Sequence, residues 1–374
     1  MTTDEQIALV RGDAAEKRPT VRVLAAAMAH TDCSLARLAL AARTDLDHLC
    51  DGTYFAVEVG QDPQAFQRGQ MFECRVKDKG YAGLIQLLRE HADFPLADVR
   101  IRNLRDGALP NEEGLRLRAA ETRQLLKKII NKAPDAPNII DGAVLVCTIA
   151  GKRAYFEADG LAAATGGQIH AAEIKSFPIT DGQCDGDKLG AACDQAAWYI
   201  LLCRMTLIDL GLSPEAVSNQ GFIILPESTG LRPTLLIQGL ADRVRRASRL
   251  LDSAPKGDDI VKTSCGCQFP GEGGDPQERL ETLEAMMDKV GTNYRPDCLQ
   301  DCGMARLCRG RAHDLGLVTL SGSAVARYLP GVRTLDRAAD LAAGVPAAAS
   351  EAYSAAALMR ANAIYEQVLA KGEL

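Results

Sequence analysis

Asp159, Glu173 and Lys175 are the residues whose types and spacing point most directly to chemistry. In an extended segment, side chains two apart face the same way, so Glu173 and Lys175 of Glu173-Ile174-Lys175 project together. Asp159 ends the preceding strand-like stretch and is positioned to share their pocket. Two carboxylates beside a lysine suit phosphodiester hydrolysis. Hard oxygen ligands hold Mg²⁺ or Mn²⁺, the metal activates water, and a cation steadies the nucleophile or the charge that grows on phosphate. Glu-x-Lys is also the pattern of an ion-paired strand face, so the weight rests on the whole set. Glu73 lies on an earlier helical segment, Arg68-Gly69-Gln70-Met71-Phe72-Glu73, and Gln195 and Tyr199 are four apart, on one face of a later helix. Glu157 faces the side of Asp159 and is a substitute ligand, with Asp141 a more distant one.

A second constellation is sulfur. Of the chain's 12 cysteines, Cys298, Cys302 and Cys308 form C-x3-C-x5-C just after Pro296. Thiolates this close select zinc or iron–sulfur, and a fourth ligand must come from elsewhere. Cys50, in Leu49-Cys50-Asp51-Gly52, is the candidate. Cys265 and Cys267 offer an alternative ligand or a separate zinc site, while Cys33, Cys74, Cys147, Cys184, Cys193 and Cys203 read as core or incidental. Arg306 and Arg309, with Arg311, sit beside the triplet where they can follow the phosphates of a nucleic-acid strand.

The elements that must position these groups follow from periodicity and breakers. Residues 1–50 read as helical, with an Ala-rich helix from Val21 to Arg43. Further helices are expected over 63–90, started at Asp62-Pro63, and over Glu112 to Lys132. Ala143 to Ile149, Ala154 to Asp159 and Gln168 to Ser176 predict a three-strand meander, followed by a helix over Lys188 to Leu210 and strands at Phe222 to Leu225 and Thr234 to Ile237. Helix, three strands, helix, strand makes an α/β unit, and the remainder is helical apart from a loop over 264–275. His170 falls on the strand face opposite Glu173 and takes no role.

The 374 residues are 47% hydrophobic, 25% charged and 5% aromatic, with formal net charge −6, which excludes fibrous, low-complexity and largely disordered classes. No apolar run approaches the ~18 residues of a membrane helix, and no secretory signal is evident, so a cytoplasmic protein with reduced thiols is expected. No Walker-A loop is found, so any unwinding must come from a partner such as a helicase or from frayed substrate. The low aromatic content favours tracking of the phosphate backbone over base stacking.

Over roughly residues 44–311 the chain resembles the PD-(D/E)xK nucleases, and within them the RecB-like branch that includes the AddB nuclease domain and the CRISPR-associated RecB-like exonucleases. The resemblance implies a restriction-endonuclease-like core in which Glu73, Asp159, Glu173 and the Ile174 carbonyl hold the metal and Lys175 is catalytic. Gln195 and Tyr199 match the branch's Gln-x-x-x-Tyr motif, which implies a part in positioning substrate or the lysine. One N-terminal cysteine plus a C-terminal triplet is similar to the branch's [4Fe–4S] staple, implying that Cys50, Cys298, Cys302 and Cys308 hold a cluster, with a structural zinc as the other possibility. Many members carry a histidine where this chain has Glu73, and Asp-Gly follows Cys50 where Pro-Arg is usual.

The expected organisation is an N-terminal helical segment over 1–62, a nuclease core over 63–240, a helical iron–sulfur segment over 241–314 and a C-terminal helical cap over 315–374. The expected function is Mg²⁺- or Mn²⁺-dependent cleavage of single-stranded or frayed DNA without sequence specificity. The alternatives are a non-catalytic DNA-binding adaptor of a DNA-processing or defence complex, and a zinc protein with no nuclease activity.

Overall fold

Three short helices open the chain: α1 (Thr3–Arg11), α2 (Val21–Ala29) and α3 (Ser34–Ala42). The computed structural model describes all residues except 30, 58–62, 93, 95–98, 165, 229 and 372–374, so Asp62 lies outside the described residues. Thr2 and Glu5 close a reciprocal capping box on α1. The Ala-rich stretch expected as one helix is two, because Asp32, Cys33 and Ser34 fall where side chains that favour caps over helix interiors interrupt it. Cys33 takes the N-cap position of α3, and its side chain makes no capping bond.

Next come α4 (Pro63–His91), β1 (Ile101–Asn103), α5 (Glu112–Ile130), β2 (Ile139–Asp141), β3 (Val144–Ile149), β4 (Lys152–Glu157), β5 (Gly160–Ala163) and β6 (Ile169–Ile174). They are followed by α6 (Gly186–Asp209), β7 (Gln220–Pro226) and β8 (Pro233–Gly239). Helix α4 is broken at Asp78–Tyr81, where Lys79, Gly80 and Tyr81 all have positive φ. Asn111 caps α5 through the Gly114 N–H, and Asp185 caps α6 through the N–H groups of Asp187 and Lys188.

The strands form a six-stranded mixed sheet, ordered β1-β2-β5-β6-β7-β8, and a separate β3-β4 hairpin. This corrects the expected meander. The stretch over 152–163 is two strands: β4 pairs with β3, and only β5 pairs with β6. The register shows the break, since Asp141 faces Gly160 and Val144 faces Glu157, leaving Gly142 (φ +65°), Ala143, Ala158 and Asp159 between the two ladders. Strand β1, absent from the sequence reading, pairs in parallel with β2.

One sheet face carries Leu161, Ala171, Ile223 and Leu225 into a core shared with Trp198, Ile200 and Leu202 of α6. The other carries Ile139, Ala162, Ala172, Phe222 and Ile224 against Phe72, Val76 and Leu88 of α4. Truncating fully buried Phe72 to alanine would cost about 3–5 kcal/mol. The α4 and α6 faces are thereby fixed on opposite sides of the strand that carries Glu173.

Helices α7 (Ala241–Ser253), α8 (Asp258–Ser264), α9 (Pro276–Val290), α10 (Cys298–Asp301) and α11 (Ala305–Asp314) come next. The N-terminal helices pack among them and on α6: α2 lies on α6 and α7, and α1 and α3 on α8. The chain ends with α12 (Ser323–Tyr328), α13 (Leu335–Ala342) and α14 (Ala352–Lys371), where Val318, Val332, Leu341 and Ala355 form a small cluster of their own. No helix among the described residues is long and apolar enough to cross a membrane.

Candidate functional site

Strand β6 alternates. Ile169, Ala171 and Glu173 face α6, whereas His170 and Ala172 face α4; His170 stacks on Phe222 at 4.3 Å and contacts the Gln220 carbonyl, away from the site. The Lys175 N–H donates to the Ile224 carbonyl (3.0 Å), so extended pairing runs past the strand end and keeps Glu173 and Lys175 on one side. Their side chains meet at 2.5 Å. Lys175 Nζ also donates to Gln195 Oε1 on α6 (3.0 Å), and one turn further along the helix the Tyr199 hydroxyl donates to the Glu157 carbonyl (2.6 Å). Asp159, between β4 and β5, accepts the Ile174 N–H at 3.0 Å. The structure therefore gathers Asp159, Glu173, Lys175, Gln195 and Tyr199 at one end of the sheet.

Glu173 is only 2% exposed, and its Oε2 is buried without a hydrogen-bond partner among the described residues. Burial pushes its carboxyl up to about 7; Lys175 opposes the rise, and the charges of Asp159 and Glu73 add to it. Asp159 is raised for the same leading reason, burial, against the pull of Lys175. Burial alone would lower Lys175, but Glu173 and Asp159 outweigh it and hold the ammonium above its ordinary value. An orphaned carboxylate oxygen beside a second proton-hungry carboxylate is a donor set suited to a divalent cation.

The other carboxylates are taken up by cations. Glu73 Oε1 pairs with Lys77 (2.5 Å) and Arg105 (2.8 Å). Asp141, 2% exposed, accepts from Lys77 (2.9 Å), Arg105 (2.8 Å) and the Tyr81 hydroxyl, which the break in α4 turns toward it. Burial, and then this bond, pushes the Tyr81 hydroxyl up. Glu157 pairs with Arg105 (2.5 Å) and Arg118 (2.7 Å); burial would raise it, but the two guanidinium groups hold it below its usual range. Both substitute ligands thus serve as anchors of an ion-pair network. Arg105 is its hub, reaching within 3.8 Å of Asp159 as well.

Gly142 makes room for the network: a Cβ there would stand 2.6 Å from the Arg105 side chain and 2.8 Å from Arg118 Nη2, at a φ of +65°. Lys77 was detectable from its position four residues after Glu73 on a helix. Arg105 carried no such signal, because it lies in the loop after β1.

The cysteines converge elsewhere. Cys298, Cys302 and Cys308 line one cavity of about 610 Å³, among helices α2, α3, α10 and α11. Cys33 also lines this cavity, whereas Cys50, the expected fourth member, is not among the lining residues. Cys50 is 1% exposed and packed in the main core, where burial pushes its thiol up to about 11. Burial also lifts Cys298 to about 11 and Cys302 to about 12, and raises Cys308 well above the usual thiol value. In each of the three, Cys33 adds to the rise, and Cys50 adds to that of Cys308.

Cys265 is exposed at the end of α8, and neither it nor half-buried Cys267 reaches this cavity. Arg306 and Arg309 are exposed on α11; Arg306 donates to the Ala56 carbonyl (2.7 Å), while Arg311 is drawn into an ion pair with Asp288. Among the described residues, no three His, Cys, Asp or Glu side chains are drawn together in a way that would hold a metal ion as they stand.

No family model matches this chain, and no curated protein matches it. Among solved structures, one described as "Crystal structure of SSO0001" is 16% identical over 49% of this chain and 89% of that one, with a TM-score of 0.20. A likeness that slight carries no argument about fold or activity. The chain is a mixed α/β protein.

Proposed function

We propose that this protein is a Mg²⁺- or Mn²⁺-dependent DNA nuclease with a restriction-endonuclease-like core, carrying a [4Fe–4S] cluster in its helical periphery. The observation that carries the reading is the buried, unpartnered Oε2 of Glu173 beside Asp159, with Lys175 held on the same side by Gln195. Asp159, Glu173 and, from α4, Glu73 are the side chains to hold the ion, with the Ile174 carbonyl. When bound, a divalent cation supplies Lewis-acid activation of water and neutralises charge on the scissile phosphate.

The residues divide the remaining work. Asp159 accepts the Ile174 N–H and so fixes the turn of backbone between the acid and the lysine. Lys175 presents an ammonium to the nucleophile or to the phosphate oxygen whose charge grows, and Gln195 keeps it from collapsing onto Glu173 alone. The Tyr199 hydroxyl ties α6 to the backbone at Glu157. Arg306 and Arg309 offer exposed charge to the phosphates of an incoming strand.

A non-catalytic DNA-binding adaptor is favoured by one observation, that Lys77 and Arg105 already neutralise Glu73. End-labelled single-stranded DNA incubated with Mn²⁺ or Mg²⁺ separates the two. Cleavage by wild type that Lys175→Ala abolishes supports the nuclease. A folded, metal-supplemented wild type that leaves the DNA intact overturns it in favour of the adaptor.

A further inference from the structure

Three ties fix where Cys33 stands. The Leu35 N–H, in the first turn of α3, donates to the Gly291 carbonyl (3.1 Å), and Asp32 is bonded by both the Asn293 amide and the Arg295 guanidinium. Gly291, Asn293 and Arg295 belong to the segment that leads directly into Cys298. Two stretches of chain more than 250 residues apart are thus held in register on either side of one cavity. Cys33 comes from one wall, and Cys298, Cys302 and Cys308 from the other.

The surroundings suit a positively charged inorganic centre bound by thiolates. All three triplet thiols are half-buried or buried. Sulfur ligands gathered this closely select iron–sulfur or zinc over hard cations. Cys33 is free to join them, since as N-cap residue it makes no side-chain bond to the backbone of α3. The helix end it occupies also favours a nearby anionic group. Cys50 is placed differently: it lies within the core, outside the lining of the cavity, and the carbonyls on either side of it are held by Arg279.

We propose that Cys33, and not Cys50, is the fourth thiolate ligand of an iron–sulfur cluster held with Cys298, Cys302 and Cys308. The proposal rests on the iron–sulfur reading above, and the test separates the two. Full-length protein is purified or reconstituted anaerobically as wild type, Cys33→Ser, Cys50→Ser and Cys302→Ser. Iron, acid-labile sulfide and visible absorption are measured, and circular dichroism checks that each variant is folded.

The expected result is about four irons per chain in wild type and in Cys50→Ser, falling below about a quarter of that in Cys33→Ser and Cys302→Ser. Alkylation of wild type gives a readout that needs no variant. Cys33 is protected while the cluster is loaded and modified once it is chelated away, exposed Cys265 is modified in both states, and buried Cys50 in neither. A loaded wild type whose iron survives Cys33→Ser but not Cys50→Ser overturns this assignment alone. A wild type that holds no iron, or one zinc in its place, overturns the iron–sulfur reading itself.

Discussion

At the carboxylate end of the sheet, Glu73, Asp141 and Glu157 each contact at least two of Lys77, Arg105 and Arg118. At the cysteine cavity, burial instead opposes ionisation of Cys302 and Cys308, and Cys33 and Cys298 add to it. The first region settles its carboxylates with the chain's own cations, and among the described residues Glu173 Oε2 is left buried without a hydrogen-bond partner. The second gathers several thiols whose ionisation burial opposes. A cation arriving at the sheet end therefore adjusts an existing balance, whereas one arriving at the cavity creates the balance. Loss of metal should disturb catalysis in the first region and structure in the second.

The sharpest way to break this contrast is to remove the ammonium. Lys175→Ala should lower cleavage of labelled single-stranded DNA by about 10³-fold or more while leaving iron content at the wild-type value. A variant that lost both would show that the two regions are not independent. Gln195→Ala tests positioning, because it frees Lys175 without deleting it. Cleavage should fall about 10–100-fold, mainly in kcat and with little change in KM. An unchanged rate would remove Gln195 from the site.

Acidity separates the regions further. Glu173, held near 7 when folded against an ordinary value of 4.5, binds its proton more tightly in the native state. Its contribution to stability is therefore full below about 4.5, declines as pH rises through 7, and is lowest above that. In chelator, Glu173→Gln should be more stable than wild type at pH 8, by up to about 3 kcal/mol, with the gain vanishing near pH 4. For wild-type cleavage, the acid limb should lie near pH 7 at low metal and move lower as Mg²⁺ or Mn²⁺ is raised, because metal and proton compete for Glu173. A pH profile that does not respond to metal concentration would contradict that competition. The smallest effect is expected at the periphery: Arg309→Ala should weaken DNA binding a few-fold and reduce the salt dependence of binding by about one phosphate contact.

The sheet end was legible where the relevant distances are set by a regular element. Glu173 and Lys175 are two apart on an extended chain, and Gln195 and Tyr199 four apart on a helix, so the spacing states their relative direction. The class, mixed α/β, followed from the same periodicities. The meander did not survive because strand pairing beyond Gly142 is decided by the bend there and by the arginines that crowd it, which no alternation of side chains reports. Arg105 was invisible for a related reason: a loop residue becomes a hub only through the tertiary placement of Glu73, Asp141 and Glu157 around it. Cys33 was read as core or incidental, and only the folded chain brings it to the cavity lined by Cys298, Cys302 and Cys308. Cys50 looked the better candidate on sequence neighbourhood alone. The meander, Arg105 and the place of Cys33 were hidden where long-range packing, not local spacing, decides the neighbour.

The bonds from Asn293 and Arg295 to Asp32 span 261 and 263 positions. A ribosome delivers the first of these residues long before the last. During synthesis the N-terminal helices can pack on α6, α7 and α8 as these appear, but the ties at Asp32 cannot close until residues 293–295 have emerged. Closing so long a loop is entropically little worse than closing one half its length, so the cost is mainly one of time. The wall that carries Cys33 is thus among the first parts made, while the cavity it lines is complete only once Cys308 has been added, so anything held between the two walls must arrive after that point.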